Sequence, residues 1–172
     1  GEWTLYIYNH SGGSSTVSKW SLIIEYDNST PKDPPTTSGT EYSGSSFSVS
    51  GQQVTRGTLT ISDTGTITDI NLMMSGSSYI SSLDISLISP YGTAVKVISQ
   101  GSLDGNAYDD MVLDDEASKA IADGSVPYLA SFRPTEALSG FDSEEMKGEW
   151  TLYIYNHSGG SSTVSKWSLI IE

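Results

Sequence analysis

The sequence predicts an all-β fold in which two sheets pack against each other. In residues 149–155 and 166–172, Trp, Leu and Ile alternate with other side chains, which is typical of strands that have one buried face. Gly, Ser and Thr are abundant, Tyr and Trp outnumber Phe, and only one short stretch has helical character. Together these observations favour an antiparallel β-sandwich.

The two alternating segments belong to one unit, residues 148–172, which we interpret as a β-hairpin. A small, polar stretch, HSGGSSTVS, lies between the two arms and has the composition of a connecting loop. Six apolar side chains share the inward face of the arms: Trp150, Leu152, Ile154, Trp167, Leu169 and Ile171. Because so much apolar surface must leave water, the unit is expected to be a required part of a core.

Residues 1–25 repeat residues 148–172 without a mismatch, at an offset of 147 residues (148 − 1). One core has one place for such a unit, so we interpret residues 1–25 as the tail of a preceding repeat in a tandem array. Residues 26–40, which are rich in Pro and polar side chains, are the expected linker, and residues 41–172 are the expected domain. We expect the spare copy to pair with an edge strand or to exchange between molecules, which would give self-association.

Alternation predicts further strands between the linker and residue 98. We expect one strand through residues 47–49, one at 54–61 after a break at 51–53, and others at 66–74, 83–89 and 93–98. Residues 89–93, Ser-Pro-Tyr-Gly-Thr, form the expected turn, because Pro fixes φ and Gly accepts a positive φ.

From residue 99 to residue 145 the alternation is weak and acidic residues concentrate. We expect a long segment without strands here, and such segments are more often functional or held by an ion than idle. Residues 115–122 predict one short helix, with Asp114 or Asp115 as its N-cap and Gly124 at its end.

The charge of the chain excludes one class of partner. The net charge is −13, from 8 basic and 21 acidic residues. Binding to nucleic acid is not expected, since phosphate contacts need clustered Lys and Arg. An acidic surface can instead collect divalent cations. The chain has no Cys, and its sequence contains no apolar run long enough to span a membrane.

Short matches to one known family follow in order from residue 46 to residue 172. They are TITDINL at 66–72, LDISL at 83–87 leading into SPYGT at 89–93, YDD at 108–110, LDDEA at 113–117, FRP at 132–134, LSGF at 138–141, GEWTL at 148–152 and WSL at 167–169. Each is weak alone, but in this order and spacing they resemble the P domain, or Homo B domain, of kexin- and furin-type subtilisin-like proprotein convertases, in its bacterial form.

The resemblance implies a jelly-roll-like antiparallel β-sandwich of about eight strands, of the galactose-binding-domain-like type. It implies a domain with no catalytic residues of its own, which packs on an adjacent protease domain and supports its folding, stability or targeting in a secreted, extracellular or cell-surface protein. The alternative is a tandem-repeat module for cell-surface adhesion or carbohydrate binding, with neighbouring repeats as its partners. The exact copy at residues 1–25 favours this alternative slightly.

Calcium is the one cofactor that we expect, because it binds six to eight oxygen ligands and some members of the resembled family bind it through acidic loops. The candidate ligands are Asp69, Asp109, Asp110, Asp114, Asp115 and Glu116. The alternative is a solvated acidic loop in which Asp114 or Asp115 only caps a helix. Three departures from the family pattern each remove a carboxylate and weaken the case for calcium near them: Ser82, Asn156-His157 and Ser162-Thr163-Val164.

Catalysis by the chain itself is not expected. His10 and His157, the only His residues, occupy equivalent positions in the two copies, and no Gly-x-Ser-x-Gly nucleophile elbow occurs. Aromatic side chains could instead form a platform for sugars, although packing on the outer face of a sheet is the simpler explanation. The candidates are Tyr79, Tyr91, Tyr108, Tyr153 and Tyr155.

Overall fold

The computed structural model describes residues 38–172, which form two β-sheets around one hydrophobic core. The strands are β1 Thr40–Gly44, β2 Phe47–Val49, β3 Val54–Ile61, β4 Ile70–Ser77, β5 Leu83–Ile88, β6 Ala94–Ile98, β7 Ala107–Leu113, β8 Ser131–Phe132, β9 Gly148–Asn156 and β10 Ser162–Ile171. Three short 3₁₀ turns lie at Ile80–Ser82, Ile121–Asp123 and Leu138–Phe141. The prediction of an all-β antiparallel sandwich is confirmed.

The strand order places the last two strands inside the two sheets. One sheet has the order β1-β10-β4-β7-β8, with β2 also pairing with β10, and the other has the order β3-β9-β5-β6. Neighbouring strands are antiparallel except for β7 and β8, which are parallel. Neither β9 nor β10 is therefore at an edge.

Strands β9 and β10 lie in different sheets, so the interpretation of residues 148–172 as a hairpin is wrong. β9 pairs with β3 and β5, whereas β10 pairs with β1, β2 and β4. Residues 157–161 carry the chain from one sheet to the other. Alternation reports which face of a strand is buried, but it does not identify the partner strand. We call residues 148–172 the Trp arch.

The Trp arch supplies the centre of the core from both sides. Trp150, Leu152 and Ile154 of one sheet and Trp167 and Leu169 of the other are fully buried. Each indole N–H finds a backbone carbonyl, because an unpaired donor in the core would be costly. Trp150 Nε1 donates to the Met146 carbonyl at 2.9 Å, and Trp167 Nε1 donates to the Ser45 carbonyl at 3.2 Å.

Most of the other predicted strands are confirmed. β2, β3, β5 and β6 occupy the expected positions, and the break at residues 51–53 is a turn. In the turn at residues 89–93, Gly92 has φ +90° and donates its N–H to the Ser89 carbonyl. The expected strand at 66–74 begins only at Ile70, since Thr66 forms a single bridge to Glu145.

Strand β7 lies within residues 99–145, where we expected no strands, so that expectation is wrong. Its burial does not alternate: Met111, Val112 and Leu113 are all buried, and Asp110 has φ +42°. A β-bulge shifts the register between β7 and β4 near Gly76. A bulge breaks the period of two and thereby removes the signal on which the prediction depended.

The helix predicted at 115–122 is also wrong, because the chain forms turns there. The Glu116 N–H donates to Asp114 Oδ1 at 2.7 Å, and the Ala117 N–H donates to the Asp114 carbonyl at 3.2 Å. An Asp side chain that bonds the backbone two residues ahead offers an alternative to a helix. The only helical element that overlaps the predicted span is the short 3₁₀ turn Ile121–Asp123 at its end.

Several expectations lie outside the described residues. They concern residues 1–25, His10, the linker up to residue 37 and self-association through residues 1–25, and they stay predictions. Within residues 38–172, no helix has the length and apolar character needed to cross a bilayer.

Candidate functional site

The six acidic residues predicted as calcium ligands lie in three separate places. Asp69, Asp114 and Glu116 interact through their charges at one end of β4 and β7. Asp109 and Asp110 lie towards the other end of β7, and Asp115 contacts the 3₁₀ turn Leu138–Phe141. In the part of the chain that the structure describes, no three His, Asp or Glu side chains stand together as a ready metal site.

Asp69 lies directly before β4 and is partly buried. Its carboxylate accepts a hydrogen bond from Asn71 Nδ2 at 2.8 Å. Burial raises the pKa of Asp69, and the charges of Asp114 and Glu172 add to this effect. Asn71 is only 4% exposed, and its Oδ1 has no hydrogen-bond partner. A buried carbonyl oxygen without a hydrogen-bond partner lies here next to a carboxylate whose ionised form is destabilised. A bound cation or a hydrogen-bond donor would stabilise both groups.

Asp114 follows β7 and lies near Glu116 in the turn after that strand. A hydrogen bond with Asp114 raises the pKa of Glu116, and burial and the charge of Asp69 raise it further. We call Asp69, Asn71, Asp114 and Glu116 the acidic cluster.

Asp109 and Asp110 already have protein partners. Ser75 Oγ lies 3.3 Å from an oxygen of each carboxylate, and the Asp110 N–H donates to the same hydroxyl at 2.9 Å. Lys166 Nζ lies 3.2 Å from Asp110 Oδ1. This ion pair is half exposed and offsets part of the local negative charge.

Asp115 has a structural role in the described fold. Its two carboxylate oxygens accept the N–H groups of Leu138 and Ser139, each at 2.9 Å. These donors begin the 3₁₀ turn Leu138–Phe141, which buries both of its apolar ends in the core. By accepting these two N–H groups, the Asp115 carboxylate caps the start of that turn.

A groove of about 710 Å³ lies beside the acidic cluster, and it is lined by residues within 114–119, after β7, and by residues 125–132. Asp114 and Glu116 line part of it, and Tyr128 and Phe132 line its apolar part. Val126 and Leu129 also line the groove, although large parts of their side chains are exposed. The groove therefore presents apolar surface and negative charge side by side.

Asp84 and His157 form a pair that sequence analysis missed. Asp84 Oδ2 lies 2.8 Å from His157 Nε2, and its Oδ1 lies 3.5 Å from Lys96 Nζ and accepts the Gln100 N–H at 2.9 Å. Burial alone would raise the pKa of Asp84, but these partners outweigh burial and lower it. Only the strand pairing between β5 and β9 brings the two residues together, so the sequence held no local signal for this pair.

Within the described part of the chain, the Asp84–His157 pair has no nucleophile bonded to it. Among residues 38–172, no Ser or Thr hydroxyl is hydrogen-bonded to the His157 ring, whose other close neighbour is Tyr155, edge-on at 4.6 Å. A hydrolase triad needs a hydroxyl or thiol on the free side of the imidazole.

The five Tyr candidates for a sugar platform do not share one environment. Tyr108 is buried, and burial raises its pKa, so it is not available to a surface ligand. Tyr153 lies under the guanidinium of Arg56 at 5.0 Å, in a cation–π contact. Tyr79 and Tyr91 are exposed, the first in the turn before β5 and the second in the turn after it.

Comparison with known families decides the classification. The family model for the proprotein convertase P-domain matches residues 67–171, which is more than half of the chain. The chain belongs to the proprotein convertase P-domain family. The matched residues run from just before β4 to the end of β10 and include both strands of the Trp arch. The P-domain family is a family of non-catalytic accessory domains.

Two solved structures similar to this P domain come from Aeromonas sobria. The serine protease of that organism is 15% identical, over 81% of this chain and 28% of the protease chain, with a TM-score of 0.48. The complex of that protease with its chaperone gives 14% identity, over 77% of this chain and 27% of the other, with a TM-score of 0.47. The P domain thus spans under a third of the length of these relatives. No curated protein matches the chain.

Proposed function

We propose that this P domain is a non-catalytic accessory domain of a secreted subtilisin-like serine protease and supports the folding, stability or targeting of that protease. The observation that carries the proposal is the family match over residues 67–171.

The test compares a parent protease with and without this domain. Where the parent polypeptide carries a subtilisin-type Asp/His/Ser domain upstream, that domain is expressed alone and joined to residues 41–172. We expect the joined form to fold in higher yield and to lose activity more slowly on heating, and we expect the isolated 172-residue chain to cleave no peptide substrate. Equal yields and equal inactivation rates would contradict the proposal.

The second candidate function is a repeat module of a cell-surface protein that binds carbohydrate or mediates adhesion. The identity of residues 1–25 with residues 148–172 favours it, since tandem arrays generate such copies. Exposed Tyr79 and Tyr91 offer aromatic faces to a sugar. Further copies at a spacing of 147 residues in the parent sequence, together with binding on a glycan array, would select this function over the first.

We also propose that calcium binds at the acidic cluster, with a smaller set of side-chain ligands than the sequence suggested. Asp69, Asp114, Glu116 and the unpartnered Oδ1 of Asn71 supply the hard oxygen donors that calcium prefers, and their side chains would have to draw together around the ion, since they do not stand as a ready metal site. Asp109, Asp110 and Asp115 are engaged elsewhere by Ser75, Lys166 and backbone amides. A bound cation would relieve the repulsion among the three carboxylates and thereby stabilise this end of the sandwich.

A further inference from the structure

The Trp arch supplies an interior strand to each of the two sheets. β9 lies between β3 and β5, and β10 lies between β1 and β4. Without residues 148–172, both sheets would lose an interior strand and the core would lose both of its fully buried Trp side chains. We call this position in the fold the arch site.

Residues 1–25 have the same sequence as the arch, so every side chain that fills the arch site has an equivalent in that copy. Trp150, for example, corresponds to Trp3 and Leu152 corresponds to Leu5 at the offset of 147. Because residues 1–25 and residues 148–172 have identical side chains, the arch site cannot favour either copy through side-chain contacts. Only the covalent connections of the two copies differ.

The chain connections allow residues 1–25 to reach the arch site. The arch ends beside the start of β1, where Thr40 pairs with Ile171 and Gly39 lies against Glu172. Residues 26–39 would join Glu25, in the place of Glu172, to Thr40. These 14 residues need to span only neighbouring strands, although they could extend to roughly 45 Å.

The displaced copy also has a way out of the fold. Lys147, which directly precedes the arch, is exposed, and Gly148 is only partly buried. Residues 148–172 can therefore leave at the surface without passing through the core.

We infer that the arch site binds either residues 148–172 or residues 1–25 of the same chain. In the second case residues 1–147 form a circularly permuted version of the sandwich. The contacts are the same in both forms, so their populations depend on chain closure. Closing a loop of 14 residues disfavours the permuted form by roughly fifty-fold, whereas residues 148–172 continue directly from the ordered segment before them.

The same chain is a better source of the spare copy than a second molecule. A short linker between a binding site and its ligand gives an effective concentration on the order of millimolar, well above the micromolar concentrations of a typical solution experiment. Exchange after folding would have to open both sheets, so the two forms interconvert only as fast as the protein unfolds.

Three full-length variants test the inference: Leu152→Asp, the matched Leu5→Asp, and both together. Leu152 is fully buried, and an unpaired carboxylate there disables that copy of the arch. We expect L5D to match the parent chain in urea unfolding. We expect L152D to keep the native near-ultraviolet circular dichroism as a monomer, with an unfolding equilibrium constant about fifty-fold larger. The double variant should be unfolded.

Light scattering on L152D identifies the source of its arch. A folded monomer supports binding of residues 1–25 from the same chain. A folded dimer would overturn the inference in favour of exchange between two copies. An L152D chain as unfolded as the double variant would overturn it in both forms.

Disulfide trapping gives a second readout, since the chain has no Cys of its own. Thr58 of β3 lies opposite Thr151 of β9, and Thr4 is the equivalent of Thr151 in the copy. Directly opposed strand positions are within disulfide range. In the L152D background, Thr58→Cys with Thr4→Cys should form an intramolecular disulfide after folding. Failure to form it, when Thr58→Cys with Thr151→Cys does so in the parent chain, would contradict the inference.

Discussion

Asp84 and His157, 73 positions apart in the sequence, meet at 2.8 Å across the pairing of β5 with β9. Lys96 and the Gln100 amide complete the environment of the carboxylate. Because these partners lower the pKa of Asp84, its ionised form is favoured in the folded state. The contribution to stability is therefore present above the pKa that Asp84 has in the unfolded chain, about 4, and is lost as the pH falls through the lower folded value.

The pair predicts a pH-dependent cost for Asp84→Asn. At pH 7 we expect the variant to lose about 1 kcal/mol of unfolding free energy, since a neutral amide cannot form the ion pair with Lys96 and is a weaker hydrogen-bond acceptor for His157. The loss should shrink as the pH falls from about 4 through the lower folded pKa of Asp84, because the parent carboxyl then becomes protonated as well. Urea unfolding across pH 3–7 measures it, with the exposed Asp104→Asn as the control. A loss that is constant over this range would contradict the assignment.

Asp69→Asn is expected to have the opposite effect in metal-free buffer. The pKa of Asp69 is raised, first by burial and then by the charges of Asp114 and Glu172, so the folded state favours its protonated form. At pH 7 the neutral amide should therefore raise the unfolding free energy by about 0.5 kcal/mol. The advantage should vanish as the pH falls through the raised pKa, because the parent then gains a proton. Melting curves in chelator at pH 7 and pH 3.5 test this, and a destabilised variant at pH 7 would refute it.

Calcium should reverse the rank order of these proteins. If the cation binds at the acidic cluster, a concentration ten times its Kd stabilises the parent by about 1.4 kcal/mol. A domain of this size should then melt about 3–5 °C higher. Asp69→Asn and Asp114→Asn should lose most of that gain, whereas Asp109→Asn should keep it, since Asp109 lies near Ser75. Calorimetry in calcium and in chelator measures the shift, and an unchanged melting temperature would remove the metal proposal.

The sequence could predict which faces are buried but not how the strands are ordered. The alternation around Trp150 and Trp167 identified both strands of the arch, and both side chains are fully buried. Pairing depends on contacts between residues far apart in the sequence, so the placement of β9 and β10 in different sheets had no local signal. The bulge in β7 removed the alternation that would have identified that strand.

The acidic residues show the same limit at the level of the site. Asp110 and Asp114 are only four residues apart in the sequence. Because a β-strand rises about 3.3 Å per residue, they lie roughly 13 Å apart along the direction of β7. The register of β4 with β7, in which Leu72 lies opposite Leu113, instead brings Asn71 and Asp69 towards Asp114. Proximity in the sequence therefore predicted too many ligands for one site. Which acidic residues lie together depends on the register between β4 and β7.

Gly44 provides a last prediction, because its lack of a side chain allows the arch to pack. Gly44 of β1 pairs with Trp167, and a Cβ built on Gly44 would lie 2.1 Å from the Trp167 ring. Trp167 is fully buried and cannot move without opening the core, so Gly44→Ala should cost about 1–3 kcal/mol. Gly159→Ala is the matched control, because a Cβ there would meet no atom within 4 Å. Urea unfolding of both variants checks the difference. Equal midpoints would mean that β1 can shift away from the indole, and the edge of this sheet would then be less tightly packed than the structure indicates.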